Sequence, residues 1–249
     1  MAAADWQAIR GLLFDKDGTL IDFEASWQAL FERFALEVAG GDAGHAARLL
    51  EQAGYDEAAG RFRAGSVIAA GTTVDLVELW QPDLDREARK AAVGHMDAQI
   101  VQTASSTAVA VCDLAPVLGG LAATGRFRLG VATNDAALSA ERCLAQLGVR
   151  DMFDAVIGWD SVERAKPAPD MVHAFCQRCG LEPAEVAVIG DNMHDLEMAE
   201  AAGAGLRIGV LSGNSAHDDL APLAHAVIED ISHLPRLAET QAAALPKEG

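Results

Sequence analysis

The chain has 249 residues, 51% of them hydrophobic, and 19 Lys plus Arg set against 37 Asp plus Glu give a formal charge of −18. That length suits one α/β domain of about 150–200 residues with an insertion, and the acidic balance disfavours nucleic acid and anionic membranes as partners, so an anionic substrate needs a local positive pocket. No stretch approaches a membrane span, the start Met1-Ala2-Ala3-Ala4-Asp5-Trp6 lacks a basic leader, and Cys112, Cys143, Cys176 and Cys179 are too few and unevenly spaced for a disulfide framework, so a cytoplasmic monomer or homodimer with reduced thiols is expected.

The first apolar run, 11–14, reads as a strand leading into Asp15-Lys16-Asp17-Gly18-Thr19-Leu20. If extended geometry continues through the acids, alternation places Asp15 and Asp17 on one side and Lys16 on the other. Two such carboxylates suit phosphoryl transfer, one to attack phosphorus and one to handle the proton. Gly18 allows a sharp exit, and open α/β sheets place ligands at the carboxyl ends of their strands. Helical patterns follow over 24–39, 42–53, 71–81 and 84–103, with Trp27, Leu30, Phe31 and Phe34 spaced for one buried face. Gly40-Gly41 and Gly71 punctuate them, and 104–107 is expected in a return linker. Strands are predicted at 128–133, 155–158, 186–190, 206–211 and 226–228, with a helix near 135–148, at about the 20–30-residue interval of βαβ units. Since the first two strands are far more widely separated, a sheet domain of 1–21 and 108–249 with a helical insertion of 22–107 is expected. Cys176-x-x-Cys179 falls inside a predicted helix and reads as packing. The alanine-rich end, 241–249, is expected to fray.

Asp15-Lys16-Asp17-Gly18-Thr19 resembles the D-x-D-G-T signature of the haloacid dehalogenase-like superfamily of phosphatases. Val131-Ala132-Thr133-Asn134-Asp135 resembles its second motif, Ala165-Lys166-Pro167-Ala168-Pro169-Asp170 its third and Gly190-Asp191-Asn192-Met193-His194-Asp195 its fourth, in the family's order. One such pattern alone is weak, and four in order over 10–211 are specific. The resemblance implies a Rossmann-like parallel sheet carrying a C1-type α-helical cap. It implies Asp15 as the nucleophile that forms an aspartyl-phosphate, and Asp17 as the group that protonates the leaving oxygen and then deprotonates water. Thr133, Asn134 and Lys166 would bind the phosphoryl group, with Lys166 also neutralising Asp15. A Mg²⁺ ion would be held by the Asp15 carboxylate, the Asp17 backbone carbonyl and Asp191, while Asp195 supports the metal site or pairs with Lys166.

The expected activity is Mg²⁺-dependent hydrolysis of a small phosphorylated metabolite, with phosphoglycolate leading. The alternatives are a phosphosugar mutase and a non-catalytic phosphate-binding or regulatory module. Asp17 separates this chain from the resembling ion-pump ATPases, which carry D-K-T-G-T, and a tyrosine there would resemble the dehalogenases. Taken singly, Asp15 and Asp17 are loop acids or a helix cap, Thr133 a strand-end residue, Lys166 a solvated lysine, Asp195 a helix N-terminal acid and His194 a solvated turn histidine. Arg61 and Arg63 read as solvated or paired with nearby acids in preference to binding a substrate carboxylate, and Trp27 reads as core in preference to pocket lining.

Overall fold

The computed structural model describes residues 5–243. Strand β1 (Gly11–Phe14) carries no polar side chain and all four residues are buried, as a parallel strand covered on both faces requires. There follow α1 (Phe23–Val38), α2 (Ala43–Ala53), β2 (Tyr55–Asp56), β3 (Arg61–Phe62), α3 (Val67–Ala70), α4 (Thr73–Trp80), α5 (Arg86–Thr107) and α6 (Leu114–Ala123). The chain then alternates through β4 (Arg128–Ala132), α7 (Ala137–Gln146), β5 (Ala155–Ile157), α8 (Asp170–Cys179), β6 (Val186–Gly190), α9 (Met193–Ala202), β7 (Leu206–Val210), α10 (His217–Leu220), β8 (Ala226–Ile228) and α11 (Leu234–Ala243).

Six strands form one sheet in the order β5-β4-β1-β6-β7-β8, every pairing parallel, so the expected α/β Rossmann-like architecture is present. The chain runs outward from β1 to β4 and β5, then returns to the other side of β1 as β6. The direction of winding therefore reverses beside β1, whose carboxyl end opens into the crevice where such sheets take ligands.

Helix α1 begins where the Asp22 side chain accepts from Ala25 N–H, and it buries Phe23, Trp27, Leu30, Phe31 and Phe34 along one face. The passages into and out of the helical layer run side by side. Asp22 N–H donates to Val109 O at 2.8 Å and Val111 N–H donates to Leu20 O at 3.1 Å. The helix expected over 71–81 starts later, because Gly71 is extended and Thr72 begins α4 with a capping box to Asp75, while the separate short helix α3 ends at Ala70. Residues 104–107 are no linker. They continue α5, with Ala104 fully buried and the hydroxyls of Ser105, Ser106 and Thr107 returned to helix carbonyls. The β2–β3 hairpin was not predicted, since two-residue strands are too short to show alternation. Cys176 and Cys179 are free thiols at the end of α8, with Cys176 buried against the sheet. No described helix is long and apolar enough to cross a membrane. Of the alanine-rich end, 244–249 lies outside the described residues.

Candidate active site

Strand geometry ends at Phe14, before the acids, so the expected alternation breaks. Leu20 and Ile21 N–H groups both donate to Lys16 O, at 2.8 and 2.9 Å, and Gly18 takes φ +82°, which only glycine adopts cheaply. Lys16 is consequently not turned away from the acids. Its buried ammonium lies 2.5 Å from Asp17 and 2.9 Å from Asp135, and 4.8 Å from the centre of the Trp27 ring. The Trp27 indole N–H donates to Asp17 Oδ1 at 2.6 Å. Trp27 is thus both core and cavity wall, a correction to its reading as core in preference to pocket lining, because a helix face that packs inward next to a site also borders that site.

Across the cavity, Lys166 Nζ donates to Asp15 Oδ1 at 2.5 Å and to Asp195 Oδ1 at 2.6 Å. Asp191 follows β6 and accepts from Thr19 Oγ1 and from Asn214 N–H, each at 3.3 Å. Its carboxylate sits in a glycine cradle: a Cβ at Gly18 would stand 2.5 Å from Asp191 Oδ2, and one at Gly213 1.9 Å from it. Ser212 Oγ donates to Gly18 O at 2.7 Å and ties this turn to the first motif. Sequence reasoning missed Ser212, Gly213 and Asn214, although a Ser-Gly-Asn turn ending a strand on the same sheet edge was a usable signal.

Asp15, Asp17, Thr133, Lys166 and Asp191 line one cavity of about 50 Å³, together with Asn134, Asn192, His194 and Asp195. The Thr133 hydroxyl oxygen accepts from Asp135 N–H at 3.1 Å. Asn134 lies at the cavity with its side chain already engaged: Nδ2 donates to Ala70 O at 2.8 Å and Oδ1 accepts from Lys166 N–H at 3.1 Å. Arg61 and Arg63 are elsewhere. The exposed Arg63 guanidinium donates to Glu51 O at 2.9 Å, beside the hairpin.

A family model described as haloacid dehalogenase-like hydrolase matches residues 9–203. The chain belongs to that family. Among curated relatives, this hydrolase is 29% identical over 202 residues to the fructose-1-phosphate phosphatase YqaB of Escherichia coli strain K12, covering 80% of this chain and 95% of that one. It is 30% identical over 201 residues to a phosphoglycolate phosphatase of Pectobacterium atrosepticum, covering 80% of each. A haloacid dehalogenase-like hydrolase structure from Bacteroides fragilis shares the fold at a TM-score of 0.71 and 22% identity, over 91% of this chain and 99% of that one.

Charge in the hydrolase's cavity is unbalanced. Carboxylate oxygens of Asp15, Asp191 and Asp195 lie within 4.8 Å of one another, faced by the single Lys166 ammonium. Burial opposes the Lys166 charge, but Asp15 and Asp195 outweigh it and hold the ammonium above its usual range. Burial pushes the Asp15 carboxyl up to about 7, with Lys166 opposing and Asp195 and Asp17 adding to the rise. Burial, then Asp15 and Asp195, raises Asp191 well above the ordinary carboxylate range. Clustered hard oxygens short of positive charge fit a divalent cation such as Mg²⁺.

A carboxyl raised in the folded state contributes stability at pH below its unfolded value, about 4, and that contribution is lost as pH rises through the folded value. A cation would take over from those protons. Magnesium at a fixed concentration of about a hundred times its pH 8 dissociation constant should raise Tm by about 5 °C at pH 8 and by much less at pH 5. Equal shifts in calorimetry at the two pH values would count against a cation held by these acids.

Burial also raises the Asp17 carboxyl, against Lys16 and Trp27, which favour its ionised form. Trp27→Phe keeps an aromatic, though smaller, side chain and removes the bond to Asp17 Oδ1. The expected result is a loss of about tenfold in kcat for alkyl esters, which need proton donation, and a smaller loss for activated aryl esters. An equal loss on both would make Trp27 a packing residue only.

Proposed function

We propose that this hydrolase is a magnesium-dependent phosphomonoesterase acting on a small phosphorylated metabolite in the cytoplasm. Its core would be 1–21 and 108–249, and 22–107 would form a cap of C1 type. The observation that carries this reading is the meeting of Asp15, Asp17, Thr133, Lys166 and Asp191 at one cavity on the carboxyl edge of the sheet.

Lys166 occupies Asp15 Oδ1, which leaves Oδ2 to attack phosphorus. As the Asp15–phosphorus bond forms, the ester oxygen–phosphorus bond breaks and Asp17 gives its proton to the departing oxygen. Asp17 then takes a proton from water, whose oxygen attacks phosphorus and releases inorganic phosphate and the free Asp15 carboxylate. The Thr133 hydroxyl and the main-chain N–H of Asn134 donate to phosphoryl oxygens, since the Asn134 side chain is committed to Ala70 and Lys166. Asp15, Asp191 and the Asp17 carbonyl would hold Mg²⁺, which when bound offsets phosphoryl charge against the attacking carboxylate. Asp195 keeps Lys166 in place.

Phosphoglycolate, the substrate expected from sequence, and fructose 1-phosphate both appear in relatives' names, and both belong in the first substrate panel. Phosphate release from 4-nitrophenyl phosphate with and without Mg²⁺ tests the reading. Asp17→Asn should accumulate a covalent phosphoryl adduct on Asp15, detected by mass spectrometry of the acid-quenched protein. No metal-dependent release and no adduct would leave the non-catalytic module. An isomerised sugar phosphate without free phosphate would show a mutase.

A further inference from the structure

The wall facing the catalytic groups is apolar. Phe23, Trp27 and Phe31 on α1, Ile68 on α3 and Ile100 on α5 border the cavity, and among the described residues the helical layer adds only Ala69, Ala70 and Gly71. The N–H groups of that last segment are consumed internally. Ala69 N–H donates to Ser66 Oγ at 3.4 Å, Ala70 N–H to Ser66 O at 2.9 Å and Gly71 N–H to Val67 O at 2.9 Å. The Ala70 carbonyl, by contrast, reaches the site, where it takes the Asn134 amide at 2.8 Å and lies 3.4 Å from His194 Nδ1. Lys166, the lining cation, is paired with Asp15 and Asp195, and Lys16 stands behind Asp17.

Such a wall has nothing for an anion. A leaving-group carboxylate set against this wall would lose water without gaining a donor from the helical layer, while a polyol would leave several hydroxyls unpaired there. The cavity is also small, about 50 Å³, which favours a compact substituent on the phosphoryl group. Resting on the phosphatase reading, we infer that the substrates are monophosphate esters of compact, uncharged, apolar alcohols, and that the α1–α3–α5 wall selects against esters whose alcohol bears a carboxylate or several hydroxyls.

Propyl phosphate and 2-phosphoglycolate are nearly the same size and differ chiefly in that one ends in a methyl group and the other in a carboxylate. The wild-type enzyme with Mg²⁺ should show kcat/KM at least about tenfold higher for propyl phosphate than for 2-phosphoglycolate, and higher also than for fructose 1-phosphate. Ile68→Lys, which adds an ammonium to the wall, should reverse the order of the first two, and the wild-type ratio is decisive whether or not that variant folds. A wild-type preference for 2-phosphoglycolate or fructose 1-phosphate, or equal rates, overturns the inference while leaving the phosphatase intact. Absence of metal-dependent phosphate release from every ester, 4-nitrophenyl phosphate included, removes both readings together.

Discussion

Asp15→Asn should end turnover, lowering kcat by at least about a thousandfold with 4-nitrophenyl phosphate and leaving no phosphoryl adduct after acid quench. The amide keeps the size of the side chain and can keep an oxygen towards Lys166 Nζ, 2.5 Å away in the wild type, so the fold should survive. What disappears is the proposed attacking oxygen, and the Asp17 carboxylate, engaged by Trp27 and Lys16, and the neutral Thr133 hydroxyl offer no substitute. Steady-state kinetics and intact mass settle the matter, and a variant with more than a tenth of wild-type kcat would remove Asp15 from the nucleophile's role. Because one charge also leaves the acid cluster, Mg²⁺ affinity should fall in the same variant.

Lys166→Met should damage both catalysis and stability. Its side chain is only 4% exposed and its ammonium is shared between Asp15 and Asp195. Taking away one partner of a buried ion pair costs about 3–5 kcal/mol, because the remaining charges stay desolvated without a counter-ion. For a domain of this size that corresponds to a Tm lower by about 10 °C at pH 8. As pH falls, Asp15, whose carboxyl is raised by burial to about 7, can take a proton, so the deficit should shrink towards pH 5. Activity should fall by at least about a hundredfold, since a donor to the developing charge is lost. The double variant Lys166→Met/Asp195→Asn should regain part of the stability and none of the activity. A Tm unchanged from the wild type in the single variant would show that the pair contributes nothing to folding.

Among the described residues, Asp15, Asp191 and Asp195 cluster against the single ammonium of Lys166. Charge in the cavity is left uncompensated where a metal and a phosphoryl group would meet, and Lys16 balances Asp17 and Asp135 away from that meeting point. Gly18 serves twice, once through its positive φ and once by leaving room for the Asp191 carboxylate. A substitution there would strain the turn and displace the proposed metal ligand together.

Local pattern determined much of this protein. Continuous apolar runs such as 186–190 specify buried parallel strands, each ending in the residue that faces the crevice, and the long interval after the first strand specifies an insertion. Strand-end chemistry nominated Asp15 and Asp17, and the resemblance of four ordered motifs to the family added Thr133, Asp191 and Lys166, the last of which lies in the loop between β5 and α8. Tertiary structure alone decided the contacts between segments that share no local pattern: Trp27 against Asp17, Ser212 against Gly18, Gly213 against Asp191 and Asn134 against Ala70. It also decided that the helical wall of the cavity, opposite the proposed catalytic groups, is apolar, with Arg63 bonded elsewhere. Strand and helix periods follow from backbone geometry within a few residues, whereas which side chain closes on a distant one depends on how whole elements pack, and no short window of sequence carries that information.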